Sequence, residues 1–158
     1  MINDDRAAVL SDSTTDRIDI KPVVIHVCTS CRARNAPREP RDNRPEFKMY
    51  QNISRLIKES ELAPHVHVKP TDCLSLCPRP CGIAISSNES WSYLFADQDP
   101  DSGPPDILKC VSLYMSVAEG FMPRERRPVS LRASVVGRVP PIDRLSIGNK
   151  QPSKTITK

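Results

Sequence analysis

Long apolar runs are missing from this sequence of 158 residues. No stretch approaches the roughly 20 consecutive apolar residues that a membrane-spanning helix needs, so we expect no membrane insertion. The first 21 residues contain five aspartates, and their longest apolar run is Ala7–Leu10. A secretory signal needs a longer apolar core than this. We therefore expect a cytoplasmic location.

Familiar catalytic patterns are also missing. The sequence has no glycine-rich nucleotide loop, no Ser/His/Asp arrangement and no pair of carboxylates placed for acid–base work. We therefore assign no catalytic residue, and we expect a carrier or binding module in preference to an enzyme.

Positive charge is concentrated in the last quarter of the chain. Residues 121–158 contain nine Lys/Arg and two acids, whereas residues 1–120 have a net charge of −3. A basic segment of this kind suits an acidic partner. Nucleic acid is not favoured, because no aromatic residue beyond Phe121 is interleaved with the arginines to stack on bases. We expect one domain at 22–120, between a flexible polar segment at 1–21 and a basic, proline-containing extension at 121–158.

Five of the six cysteines form two clusters. Cys28 and Cys31 follow a β-branched run, and Cys73, Cys77 and Cys81 recur every four residues just before another apolar run. In a cytosolic protein, clustered cysteines indicate metal or redox chemistry more often than structural disulfides. Iron–sulfur clusters and zinc both need about four converging thiolates. The cysteine spacing by itself fits either an iron–sulfur cluster or zinc.

Hydrophobic periodicity predicts a small mixed α/β fold with a four-stranded sheet and two main helices. If the first two strands pair through a parallel crossover, the loops that carry Cys28 and Cys73 become neighbours. On the first helix, Phe47, Tyr50 and Ile53 are predicted to face the core, with Leu56 and Ile57. A further short helix is predicted near 129–136. The main predicted elements are strand 23–28, helix 46–62, strand 66–70, strand 82–86, strand 91–95 and helix 105–118.

Four residues are predicted to lie outside the site although their side chains can bind metal. Cys110 lies alone in a predicted helix and is expected to be a small buried residue. His26 is expected to be satisfied by hydrogen bonds within the sheet. His65 and His67 alternate with valines and are expected to face outward.

The second cysteine cluster resembles the thioredoxin-like [2Fe-2S] ferredoxins, a group that includes the small iron–sulfur subunit of respiratory NADH dehydrogenases. The resemblance covers residues 22–118. It is most specific at Cys73-Leu74-Ser75-Leu76-Cys77, which is followed by Pro80, Gly82 and an apolar strand. It implies a thioredoxin-like fold, a [2Fe-2S] cluster as cofactor and an electron-transfer role with a protein redox partner.

The chain also resembles an uncharacterised family of small predicted metal-binding proteins. That resemblance is carried by Cys28-Thr29-Ser30-Cys31-Arg32, by Arg79-Pro80-Cys81 and by the ending Arg138-Val139-Pro140-Pro141. The family is a domain of unknown function, so it implies a metal-binding class and little mechanism.

On the ferredoxin resemblance, Cys28, Cys73 and Cys77 are the first three cluster ligands. The fourth is Cys31, with Cys81 as the alternative ligand. The ferredoxins space their first two cysteines more widely than Cys28 and Cys31, and they have no cysteine at the position of Cys81. The choice between these two residues therefore stays open.

Two other functions use the same cysteines. A zinc-binding or metal-trafficking protein would hold Zn²⁺ in place of the cluster, with a metal-transfer partner. A thiol–disulfide oxidoreductase would use Cys28 and Cys31. The prolines that follow, Pro37 and Pro40, disfavour it, because such a dithiol normally leads directly into a helix.

Overall fold

The computed structural model describes residues 21–30 and 40–142. The predicted flexible start of the chain, Cys31 and the basic segment beyond residue 142 lie outside the described residues. The described elements, in chain order, are β1 (Val23–Cys28), a 3-10 turn (Arg41–Asn43), α1 (Pro45–Lys58), β2 (Val66–Thr71), β3 (Ile83–Ser87), β4 (Ser92–Phe95), α2 (Pro104–Ser116), 3-10 turns at Ala118–Gly120 and Arg124–Arg126, α3 (Val129–Arg132) and β5 (Val135–Val139).

The sheet has the strand order β2-β1-β3-β4-β5. Strands β1 and β2 pair in parallel, with Cys28 opposite Thr71, and the connection between them contains α1. All other neighbours are antiparallel, and Val27 lies opposite Ile83 in the β1–β3 pair. The predicted parallel crossover is confirmed. It brings the end of β1, the end of β2 and the start of β3 to one end of the sheet.

The α/β class is confirmed, but the predicted count of four strands is wrong. A fifth strand, β5, pairs with β4, and the short helix predicted near 129–136 ends at Arg132. Met122 and Leu131 are fully buried in the core. Residues 121–139, which were expected to extend beyond the domain, therefore contribute a strand and core side chains to it.

Helix α1 packs against β1, β2 and α2, and it begins with Pro45 in its first turn, where the missing N–H costs nothing. The prediction that Phe47 faces the core is wrong, whereas Tyr50 packs against the core from a half-buried position. Both are only half-buried and lie against each other, with ring centroids 6.0 Å apart. The residues that α1 buries are Glu46, Met49, Ile53 and Ile57.

Strand β4 alternates half-buried and buried residues. Tyr93 and Phe95 are fully buried and stack at 6.0 Å. Trp91, just before the strand, is half-buried and packs edge-on against Phe121 at 5.5 Å. The aromatic residues therefore cover the α2 side of the sheet, where Tyr114 meets Tyr93 in a second edge-on contact.

Candidate metal centre

Cys28 ends β1 between two other parts of the chain. Its backbone amide donates to the carbonyl of Gly82 at 2.9 Å, and the next amide, of Thr29, donates to the carbonyl of Thr71 at 2.9 Å. The Cys28 thiol reaches toward the carbonyl of Asp72, with Sγ and O 3.8 Å apart. Cys28 is thus held by hydrogen bonds at both ends of the loop that carries the second cysteine cluster.

That loop, residues 72–82, joins β2 to β3 and contains Cys73, Cys77 and Cys81. Its path requires two non-glycine residues with left-handed backbone, Ser75 at φ 55° and Cys81 at φ 51°. The Ser75 amide donates to the Sγ of Cys73 at 3.2 Å. Amide donors of this kind stabilise negative charge on a cysteine sulfur.

The loop is also fastened to the segment after β4. The amide of Asp97 donates to the carbonyl of Pro80 at 2.7 Å, and Arg79 Nε lies 2.7 Å from Asp97 Oδ2. This ion pair is partly exposed, so it contributes at most about 1 kcal/mol. It gives Arg79 a local carboxylate partner at the edge of the loop.

The predicted ligands differ in exposure. Cys73 and Cys77 are exposed, whereas Cys28 and Cys81 are buried. Cys81 packs within the hydrophobic core. Within residues 21–30 and 40–142, no three side chains of His, Cys, Asp or Glu converge closely enough to hold a metal ion. The fold therefore brings Cys28 and the loop at 72–82 to one end of the sheet, and their thiols, among the described residues, do not close around one point.

A buried carboxylate that the sequence did not single out lies near Cys81. Glu46 is 1% exposed, and its Oε2 has no hydrogen-bond partner among the described residues. Burial raises the pKa of the Cys81 thiol to about 12, and the negative charges of Glu46 and Asp99 add to the effect. Cys81 is accordingly a neutral thiol in this environment.

A sequence signal for Glu46 did exist. Glu46, Met49 and Ile53 are spaced i, i+3, i+7, which places them on one helix face. Because Phe47 and Tyr50 are aromatic, the predicted apolar stripe of α1 began at Phe47, one position after Glu46. An acidic residue on the buried face of a helix is uncommon, and this placement is the sequence signal at Glu46.

His26, His67 and Cys110 have the surroundings predicted for them, whereas His65, which was expected to face outward, is half-buried. His26 Nδ1 lies 3.0 Å from Thr71 Oγ1, within the sheet. His67 is exposed and His65 is half-buried. Cys110 is fully buried, with its Sγ 3.6 Å from Met122 Sδ, and burial raises its pKa to about 12.

The fold defines a thioredoxin-like α/β protein with cysteine loops at one end of its sheet. The model of the family described as a protein of unknown function (DUF1636) matches residues 25–141, and the chain belongs to that family. No curated protein matches the chain. Among the described residues, no helix is both long enough and apolar enough to cross a bilayer.

Two solved structures of a thioredoxin-like [2Fe-2S] ferredoxin from Aquifex aeolicus are similar to this chain. The first is 16% identical with a TM-score of 0.51, covering 77% of this chain and 96% of the ferredoxin. The second, of the wild-type protein, is 15% identical with a TM-score of 0.48, covering 74% and 98%. At this identity the first likeness establishes the shared fold.

Proposed function

We propose that this protein is an electron-transfer module that binds a [2Fe-2S] cluster through Cys28, Cys31, Cys73 and Cys77. The observation that carries the proposal is the meeting of Cys28 with the Cys73–Cys77 loop at one end of a thioredoxin-like sheet. The similar Aquifex aeolicus protein, whose name records a [2Fe-2S] cluster, has the same kind of fold. The cytoplasm, where thiols stay reduced, is the proposed location.

The donor set fits such a cluster chemically. Cysteine thiolates are its normal ligands, and when bound it exchanges single electrons with a partner. The amide of Ser75, directed at the Cys73 sulfur, supplies one of the hydrogen bonds that tune sulfur ligands. Because Cys73 and Cys77 are exposed, a protein redox partner can approach this side of the site. We propose no direct role for nucleic acid.

Cys31 is the proposed fourth ligand, and Cys81 is the alternative. The reason is packing: the Cys81 side chain belongs to the hydrophobic core, where a cysteine commonly serves as a small apolar residue. Cys31 follows Cys28 by three positions in the sequence, a C-x2-C spacing that thiolate metal sites commonly use. Cys31→Ser should therefore remove the bound metal, and Cys81→Ser should retain it.

The direct test is the composition of full-length protein purified without oxygen. We expect visible absorption with about two iron and two sulfide per chain, as the cluster formula requires. Colourless protein with about one zinc per chain would instead favour the zinc-binding alternative.

Serine variants then assign the ligands. Cys73→Ser and Cys77→Ser should each lower the iron content by at least about 10-fold. Because both residues are exposed, the circular dichroism spectrum should change little. Cys110→Ala is the matched control, since Cys110 lies on the buried face of α2 against Met122, and it should keep its iron. Insulin reduction that requires Cys28 but not Cys73 would support the thiol–disulfide alternative.

A further inference from the structure

A cavity lined by arginines lies along β5, within the part of the chain expected to be a simple basic extension. Its volume is about 390 Å³, which lies in the range of small-molecule sites. The residues that line it include no Asp or Glu. Its four arginines are Arg124, Arg127, Arg132 and Arg138.

Arg127 forms the buried base of this arginine group. Arg127 is only 7% exposed. Its Nε and Nη2 donate to the carbonyl of Met122 at 3.2 and 3.1 Å. Its guanidinium also lies 5.6 Å from the ring centre of Tyr93. A backbone carbonyl and an aromatic ring hold this cation, and neither neutralises its charge.

Backbone carbonyls also orient the next two arginines. Arg124 Nη1 donates to the carbonyl of Arg132 at 2.7 Å. Arg132 donates from Nε to the carbonyl of Arg127 at 3.0 Å and from Nη2 to the carbonyl of Glu125 at 2.8 Å. Each guanidinium carries five N–H donors, so each retains donors beyond these bonds. The segment is thus pre-organised around positive charge.

Arg138 makes cation–π contacts with two aromatic rings. Its guanidinium lies 5.2 Å from the ring centre of Trp91 and 5.5 Å from that of Phe121. These cation–π contacts use none of the guanidinium N–H donors, which can bind phosphate or carboxylate in bidentate fashion.

None of the four arginines forms an ion pair with a carboxylate among the described residues. Placing several like charges around one cavity is unfavourable unless an anion compensates them. The cavity wall at Gly137 of β5 also leaves space for a ligand, because a Cβ added there would meet no atom within 4 Å.

We infer that this cavity is a binding site for a small, multiply charged oxyanion, such as a phosphate-bearing or polycarboxylate metabolite. The charge, the donor geometry and the cavity volume all match that ligand class. The inference does not depend on the proposed cluster, because no residue that lines the cavity belongs to the cysteine loop at 72–82.

The test is calorimetric titration of the full-length protein at low salt, with inorganic phosphate in one arm and citrate in the other. We expect saturable binding at one site. Arg138→Gln and Arg124→Gln should each weaken it by about 10-fold or more, the value of one charge-assisted hydrogen bond. Arg138→Lys should give an intermediate loss, because lysine keeps the charge without the fork.

Arg55→Gln is the matched charge control. Arg55 is an exposed residue of α1 that pairs with Glu59 and does not line the cavity. It should leave the affinity unchanged. Equal weakening by Arg55→Gln and Arg138→Gln would reduce the effect to net charge and overturn the site. Absence of saturable binding of either anion would overturn it as well.

Gly137 provides a second pair of variants that avoids the arginines. Gly137→Glu should block binding by placing a carboxylate at the wall, while Gly137→Ala should preserve it. Tighter phosphate binding would assign a phosphate-bearing ligand, and tighter citrate binding a polycarboxylate. Both support the oxyanion class. Tight binding of a short single-stranded DNA without phosphate or citrate binding would overturn the small-molecule assignment.

Discussion

The backbone amide of Met122 donates a hydrogen bond to the hydroxyl oxygen of Tyr93, at 2.9 Å in the core. Tyr93 lies in β4, and Met122 follows α2. Both residues are fully buried. Since no water can take the place of a buried partner, this bond ties the C-terminal segment to the middle of the sheet.

Tyr93→Phe should lower the free energy of unfolding by about 1–3 kcal/mol, because it leaves the buried Met122 amide without a partner. Urea denaturation measures the change. Tyr50→Phe is the control: Tyr50 is half-buried, and its variant should differ from the parent by less than about 0.5 kcal/mol. An unchanged midpoint for Tyr93→Phe would show that the segment does not depend on this bond.

Cysteine alkylation should separate the exposed thiols from the buried ones. In metal-free protein near pH 8, iodoacetamide should modify Cys73 and Cys77 first, because both are exposed and thiolate is the reactive form. Cys110 should stay protected, since burial raises its pKa to about 12. Mass spectrometry of peptides gives the order. Modification of Cys110 as fast as Cys73 in folded protein would contradict this placement.

Asp106 makes part of the free energy of unfolding depend on pH. Ser130 Oγ donates to Asp106 Oδ2 at 2.6 Å, and Lys109 Nζ donates to Oδ1 at 3.0 Å. Chiefly the Ser130 bond, and then that of Lys109, lowers the pKa of Asp106 below its ordinary 3.8. A carboxyl with a lowered folded-state pKa stabilises the fold above its unfolded value. That contribution should be lost as the pH falls below about 4.

Ser130→Ala should therefore lower the melting temperature at pH 7, and the difference from the parent should shrink toward pH 3. The matched control is Ser112→Ala, since the exposed Ser112 hydroxyl donates to the Leu108 carbonyl of its own helix and bonds no carboxylate among the described residues. It should show no such pH-dependent difference. A Ser130→Ala deficit that stays constant over this range would exclude the Asp106 contact as its cause.

Gly82 makes room for Leu76 of the cysteine loop. A Cβ at position 82 would lie 2.7 Å from Leu76 Cδ1. Gly82→Ala should cost about 1 kcal/mol through overpacking. In a Leu76→Ala background the same change should cost less, because the clashing atom is gone. Additive effects in this double-mutant cycle, measured by urea denaturation, would mean that the two positions do not meet.

The parts of the fold that could be predicted depend on local patterns. The β-branched run of β1 and the alternation of Tyr93 and Phe95 in β4 each indicate buried positions from a pattern only a few residues long. Strand β5 was missed because Gly137 weakens its local strand signal. Its identity as a strand comes from pairing with β4, a contact between distant parts of the chain.

The candidate site was predictable in composition and less so in arrangement. Clustering of Cys73 and Cys77 is visible in the sequence, but their even spacing with Cys81 suggests equal roles. The left-handed backbone at Cys81 and its core packing separate it from the two exposed thiols. Such a conformation is uncommon outside glycine, and the neighbouring sequence does not predict it.

The position of β1 in the middle of the β2-β1-β3 part of the sheet sets an order for assembly. Cys28 and Asp72, which meet in the folded chain, are 44 positions apart, so their contact carries the entropic cost of closing a long loop. During synthesis Cys28 emerges first, and its neighbours in β2 and β3 follow much later. Loading of the proposed cluster must therefore wait until the ribosome has released the chain beyond β3.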